Sequence, residues 1–120
     1  MPAAKILVID DLEGVRKLYS IFLSKKGFIV LEAKSGKEGI DLVKQRAPDL
    51  VLLDARLPDL SAIDVLNKIK ELNKNTKVVM LSALEDDGLK EQASQAGASS
   101  FLSKTLDIEE IVKAVSQMLP

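Results

Sequence analysis

The sequence predicts an α/β fold in which a parallel sheet carries helices on both faces. Three observations predict it. Strand-like apolar runs and helix-like amphipathic segments alternate five times along 120 residues, the βα pattern of a parallel sheet. The run Leu50-Val51-Leu52-Leu53 is apolar at every position, which suits a central strand covered on both faces. Four such runs end in reactive side chains: Asp10-Asp11, Asp54, Ser82 and Lys104. The ends of parallel strands share one sheet edge, where ligands bind, so these groups are expected to converge.

The first strand is predicted over 5–9. Helix 1 follows, with Val15, Leu18, Tyr19, Phe22 and Leu23 as one apolar stripe. Lys25 and Lys26 suit the negative end of its dipole, and Gly27 ends it. Strand 2 is 28–33. Ser35 and Glu38 have capping-box spacing and open helix 2, which stops before Pro48. Strand 3 is 49–53. Ser61 opens helix 3, with Leu66 and Ile69 turned inward. Strand 4 is 77–81. Helix 4, over 85–96, offers only Leu89, Ala93 and Ala96 to the core. At about 25 cal/mol per Å2 of apolar surface it should be the most loosely held helix. Gly97 ends it. Strand 5 is 98–102, and Asp107 opens helix 5, with Ile108, Ile111, Val112, Val115 and Leu119 inward. The whole of 1–120 reads as one domain. The chain ends as helix 5 ends, so no output domain is expected within it.

Composition narrows the function. There is no cysteine and no histidine, so thiol chemistry, a phosphohistidine carrier and the commonest zinc ligand are excluded. A formal net charge of -1 argues against direct nucleic-acid binding, which needs a basic surplus on one face. No apolar run approaches the roughly 20 residues of a membrane span, and the N-terminal stretch Met1-Pro2-Ala3-Ala4-Lys5 is too short for a signal peptide. The expectation is a soluble, cytoplasmic domain with no membrane contact.

The convergent groups have a joint chemistry. Asp10, Asp11 and Asp54 held together would repel one another and could not all stay ionised unaided. A divalent cation resolves this, and hard oxygen donors with open positions suit Mg2+. A carboxylate beside a metal, a lysine and a hydroxyl can act as a phosphoryl acceptor. Each group alone has a plainer reading. Asp10 with Glu13 fits a capping box. Lys104 and Ser82 could be solvated loop residues, and Asp54 a turn residue before Leu57-Pro58. Glu85-Asp86-Asp87 reads as first-turn charge on helix 4, and Phe101 as core. Four strand ends with complementary chemistry in one domain favour the joint reading.

These residues carry a resemblance over essentially the whole chain. Asp10-Asp11 with Arg16 downstream, Asp54-Ala55-Arg56-Leu57-Pro58, Ser82-Ala83 and Phe101-Leu102-Ser103-Lys104 resemble the receiver domain of two-component response regulators. The resemblance implies a flavodoxin-like, doubly wound (βα)5 fold with sheet order 2-1-3-4-5. It implies that Asp54 takes a phosphoryl group from a sensor histidine kinase or a histidine phosphotransfer protein. Asp10, Asp11, Asp54 and the Arg56 carbonyl would hold Mg2+, while Lys104 and Ser82 would contact the phosphoryl oxygens. Phe101 would be the aromatic switch, and small Ala83 would leave access to the site. The expected output is a change in the face of helix 4, strand 5 and helix 5, read by a downstream protein target. The expected state is a monomer or a weak dimer through that face. Two positions depart from the family's pattern. Thr105 stands where proline usually follows the lysine, and Ala62 where glycine is usual. Neither removes a catalytic group, and the Lys104–Thr105 peptide is predicted to be trans.

Other functions lack their signatures. A haloacid dehalogenase-type phosphatase needs Asp-x-Asp, but Ala55-Arg56 follows Asp54. No Gly-x-Gly-x-x-Gly or Walker loop marks a nucleotide- or flavin-binding module. A pseudo-receiver that is never phosphorylated would not need the full acidic, lysine and serine set.

Overall fold

A computed structural model of the chain describes residues 3–83 and 86–120. Its elements alternate as the hydrophobic pattern demands: β1 (Lys5–Ile9), α1 (Glu13–Lys25), β2 (Ile29–Ala33), α2 (Gly36–Arg46), β3 (Leu50–Asp54), α3 (Ala62–Leu72), β4 (Lys77–Ser82), α4 (Asp87–Gln95), β5 (Ser100–Ser103) and α5 (Ile108–Met118). The five strands form one sheet in the order β2-β1-β3-β4-β5, and every pairing is parallel. This is the doubly wound, flavodoxin-like α/β arrangement.

Alternation along the strands builds two cores. Leu7, Ile9, Val51, Leu53, Val78 and Met80 face α2, α3 and α4, meeting Val43, Val65, Leu66, Ile69 and Ala93. Ile6, Val8, Leu50, Leu52, Val79 and Leu81 face the other way, meeting Tyr19 and Leu23 of α1 and Ile111, Val112 and Val115 of α5. A strand flanked by two cores must be apolar throughout, which is why every residue of β3 is buried. Burying one such leucine or valine is worth about 1.5–3 kcal/mol. The rigidity of β3 is what holds Asp54 in place.

Ser35 and Ser61 cap α2 and α3, accepting the N–H of Glu38 and Asp64. Several expectations need correction. Leu18 is 46% exposed. It lies about 100° around the helix from buried Tyr19, beyond what the sheet and α5 cover. Asp10 and Glu13 do not form a capping box: α1 begins after Leu12 with no side-chain cap. Asp86 caps α4 by accepting the Leu89 N–H, and the helix starts at Asp87, so Asp86 is a cap and only Asp87 is first-turn charge; Glu85 lies outside the described residues. Only Ala93 of α4 is fully buried, with Leu89 and Ala96 half-covered. β5 starts at Ser100 because the Ala98 N–H closes α4 on the Ala93 carbonyl at 2.9 Å, after Gly97 turns the chain at φ +99°. Leu119 falls just past α5 but still packs on its core. Among the described residues no peptide is cis, so the Lys104–Thr105 bond is trans.

Candidate functional site

Parallel pairing sets the strand ends side by side. Asp54 pairs in register with Leu81, and Ser82 with Ser103. Asp10 follows β1 directly, and its N–H bonds the Ala33 carbonyl of β2 at 3.0 Å. The Lys104 N–H bonds the Ser82 carbonyl at 2.9 Å, so the lysine leaves the edge strand with its stem turned over the sheet edge.

The side chains then meet. One carboxylate oxygen each from Asp10, Asp11 and Asp54 can be chosen so that all lie within 4.8 Å of one another. The Lys104 Nζ stands 2.8 Å from Asp10 Oδ2 and 3.1 Å from Asp54 Oδ2. Asp10 and Asp54 are buried and Asp11 is exposed, so the cluster opens to solvent on the Asp11 side. Asp10 Oδ1 accepts the Leu12 N–H at 3.0 Å, and Asp54 Oδ1 accepts the Arg56 N–H at 3.2 Å. Ser82 is buried at the same edge, and Arg56 is exposed in the following loop. Phe101 is half-buried against the core on the α2, α3 and α4 side. It borders a cavity of about 310 Å3 between α4 and β5, lined also by Lys90, Ser94 and Ala98. Ala83 is exposed, and Leu84 lies outside the described residues.

Burial pushes the Asp54 carboxyl above its ordinary pKa. The Arg56 N–H opposes this, the Asp10 charge adds to it, and Lys104 opposes it. Burial alone would lower the Lys104 pKa. The hydrogen bond to Asp10 and the charges of Asp54 and Asp10 outweigh it, and the ammonium is held above its usual value. Tyr19, legible only as core, lies close enough to feel these charges. Its phenol is pushed up first by burial, with Lys104 opposing and the two aspartates adding.

Two supports of the site are not legible as supports in the sequence. Arg16 donates from Nη1 to the Asp10 carbonyl at 2.8 Å, and its Nε stands 3.4 Å from Glu32 Oε1 on β2. Asp59 reaches from the β3–α3 loop to the first turn of α2. The only signal for Glu32 is a charge inside an apolar strand. For Asp59 no local signal exists, because its partners lie 22 and 23 residues away.

A central carboxylate, an acidic cluster and a lysine on one edge of a doubly wound sheet define a class of signalling domain, and comparison with known proteins agrees. The family model described as "Response regulator receiver domain" matches residues 6–116. Sporulation initiation phosphotransferase F of Bacillus subtilis is 34% identical over 116 residues, covering 97% of this chain and 94% of that protein. The chemotaxis protein CheY of the same organism is 31% identical over 118 residues, covering 98% of each. A CheY-like receiver domain from Methanospirillum hungatei superposes with a TM-score of 0.93 at 21% identity, covering 98% of this chain and 94% of that one, a likeness of fold. The chain belongs to the response regulator receiver domains of two-component systems. Among the described residues no helix is long and apolar enough to cross a membrane.

Proposed function

We infer that this chain accepts a phosphoryl group on Asp54 from the phosphohistidine of a sensor histidine kinase or histidine phosphotransfer protein. Residues 1–120 act as one receiver domain, in the cytoplasm where ATP-fed kinases hold their phosphohistidine. The observation that carries this is the buried Asp54 carboxylate, with the Lys104 ammonium 3.1 Å away and two further carboxylates alongside. Asp54 is favoured over Asp10 because it closes the central strand β3, buried at every position, while Asp10 follows the end of β1.

Three hard carboxylate donors in one cluster fit Mg2+. Asp10, Asp11, Asp54 and the Arg56 carbonyl would hold it, and it would supply positive charge to the phosphoryl oxygens. The chain's own groups do the rest. An Asp54 oxygen forms the P–O bond as the donor's N–P bond breaks, and the bonding pair returns to the donor imidazole. Lys104 stays protonated and pairs with the oxygens of the transferred group. Ser82 donates its hydroxyl to another. Slow attack of water on the phosphoaspartate returns Asp54 and inorganic phosphate.

The phosphoryl group carries roughly -1.5 to -2 charge and three acceptor oxygens, in place of the single negative charge of the carboxylate. Ser82 drawn toward it would take the following loop along and let Phe101 turn inward. The face of α4, β5 and α5 then changes for a downstream protein target. The weak hold on α4, of which Ala93 is the fully buried residue, supports this route. Acetyl phosphate with Mg2+, followed by intact mass, tests the acceptor. The parent should gain one phosphoryl group and Asp54→Asn none; an undiminished gain in Asp54→Asn rejects the assignment.

A further inference from the structure

The loop 55–61 carries Arg56 and must hold its backbone still beside Asp54. It is tied at its start by the Ala55 N–H on the Leu81 carbonyl at 2.8 Å and the Arg56 N–H on Asp54 at 3.2 Å. Between these ties and the start of α3, Asp59 reaches out of the loop to another element. Its Oδ1 accepts the Gly36 N–H at 2.9 Å and its Oδ2 the Lys37 N–H at 3.0 Å. These are two of the donors that the first turn of any helix leaves unmatched. The helix already has a local cap in Ser35, whose Oγ accepts the Glu38 N–H at 3.2 Å. Asp59 is therefore a second cap, supplied from across the molecule.

The surroundings are built for close approach. A Cβ at Gly36 would lie 2.8 Å from Val65 Cγ2 and 3.2 Å from Leu60 Cβ, so the loop and α3 press directly on the start of α2. The two N–H groups also hold the Asp59 carboxyl below its ordinary pKa although the side chain is exposed, as expected for bonds to the charged form.

We propose that Asp59 is a positioning residue for the Asp54 site, fixing the Arg56 backbone by clamping the β3–α3 loop onto the first turn of α2. The inference rests on the reading of Asp54 as a Mg2+-dependent phosphoacceptor. Two residues separate Arg56 from Asp59. Leu57 among them packs on the core, and Pro58 has its φ fixed by its ring. With so few free torsions, a shift at Asp59 moves Arg56. The Arg56 N–H orients the acceptor carboxylate, and its carbonyl is the fourth proposed metal donor.

Asp59→Ala is compared with Ser35→Ala, which removes a cap from the same helix without touching the loop. Both should lower Tm. In metal-free protein, only Asp59→Ala should speed hydrogen exchange at the Arg56 amide. Only Asp59→Ala should weaken Mg2+, by about tenfold in an NMR titration, the lower end of what losing a supporting contact costs a metal site. Asp59→Asn, which keeps one acceptor oxygen, should fall between. If the two alanine variants show equal Arg56 exchange and equal Mg2+ affinity, Asp59 only caps α2 and the proposal is wrong. If the parent binds no Mg2+ and gains no phosphoryl group, the reading of Asp54 fails and the metal part of the proposal fails with it. The Arg56 exchange result then still decides whether Asp59 holds the loop.

Discussion

Replacing Lys104 by methionine keeps the length of the side chain and removes its charge. The ammonium stands 2.8 and 3.1 Å from two carboxylates that are 3% and 8% exposed, and is itself 19% exposed. At an effective dielectric of about 20, each contact is worth roughly 5–6 kcal/mol before desolvation is counted. Breaking a buried pair by removing one partner costs about 3–5 kcal/mol. Water entering on the exposed Asp11 side should reduce this, and we expect Lys104→Met to lose about 2–4 kcal/mol at pH 7 without metal. That corresponds to a Tm lower by about 10 °C. The pH dependence follows from Asp54. Its pKa is already raised, chiefly by burial, and losing the lysine raises it further. A carboxyl whose folded pKa lies above its unfolded value is at no disadvantage below about pH 4. It becomes destabilising as pH rises through the folded value. The deficit should therefore be large in urea melts at pH 7 and close as the pH falls toward 4. Mg2+ should restore stability by mass action, by about 2.7 kcal/mol at one hundred times its Kd. It should bind the variant more tightly than the parent, because no ammonium competes for the carboxylates. A deficit of equal size at pH 4 and pH 7, or none, would mean that the three aspartates do not share one field.

Ser82→Ala, saturated with beryllofluoride, should show much smaller NMR shifts in α4 and at Phe101 than the parent; shifts of equal size would remove Ser82 from the route. Gly39→Ala should destabilise by about 1–3 kcal/mol, because its Cβ would lie 2.3 Å from Ile9 Cδ1. Gly14→Ala, with nothing within 4 Å, should stabilise α1 by up to about 1 kcal/mol, and urea melts will show the opposite signs. The raised Lys104 pKa contributes stability that is complete below about pH 10.4, the unfolded lysine value, and is lost as pH rises through the higher folded value. Alkaline melts of Lys104→Met should lack that loss.

What the sequence made legible divides along one physical line. Strand ends were readable because two local facts determine them: an apolar run and the side chain that closes it. Asp10, Asp54, Ser82 and Lys104 could thus be placed on one edge once the βα alternation made the sheet parallel. The capping serines were readable for the same reason, since Ser35 and Ser61 bond N–H groups three residues on. The reading failed wherever a local pattern met a distant partner. Asp10 has the spacing of a cap, but Lys104, 94 residues away, takes one of its oxygens, and the other turns to Leu12. Leu18 has the spacing of a core residue, but it lies off the face that α1 packs, through Tyr19 and Leu23, against the sheet and α5. Asp59 has no pattern at all, because its meaning lies in the start of α2. Of the departures from the family's usual residues, Ala62 is the first residue of α3, directly after the β3–α3 loop, and Thr105 lies in the turn between β5 and α5. Rigid strands specify which groups meet, and long-range contacts to the loops specify how firmly they are held. The reactive groups of this site are therefore legible in order along the chain, while the residues that tune it are visible only once the loops are seen against their neighbours.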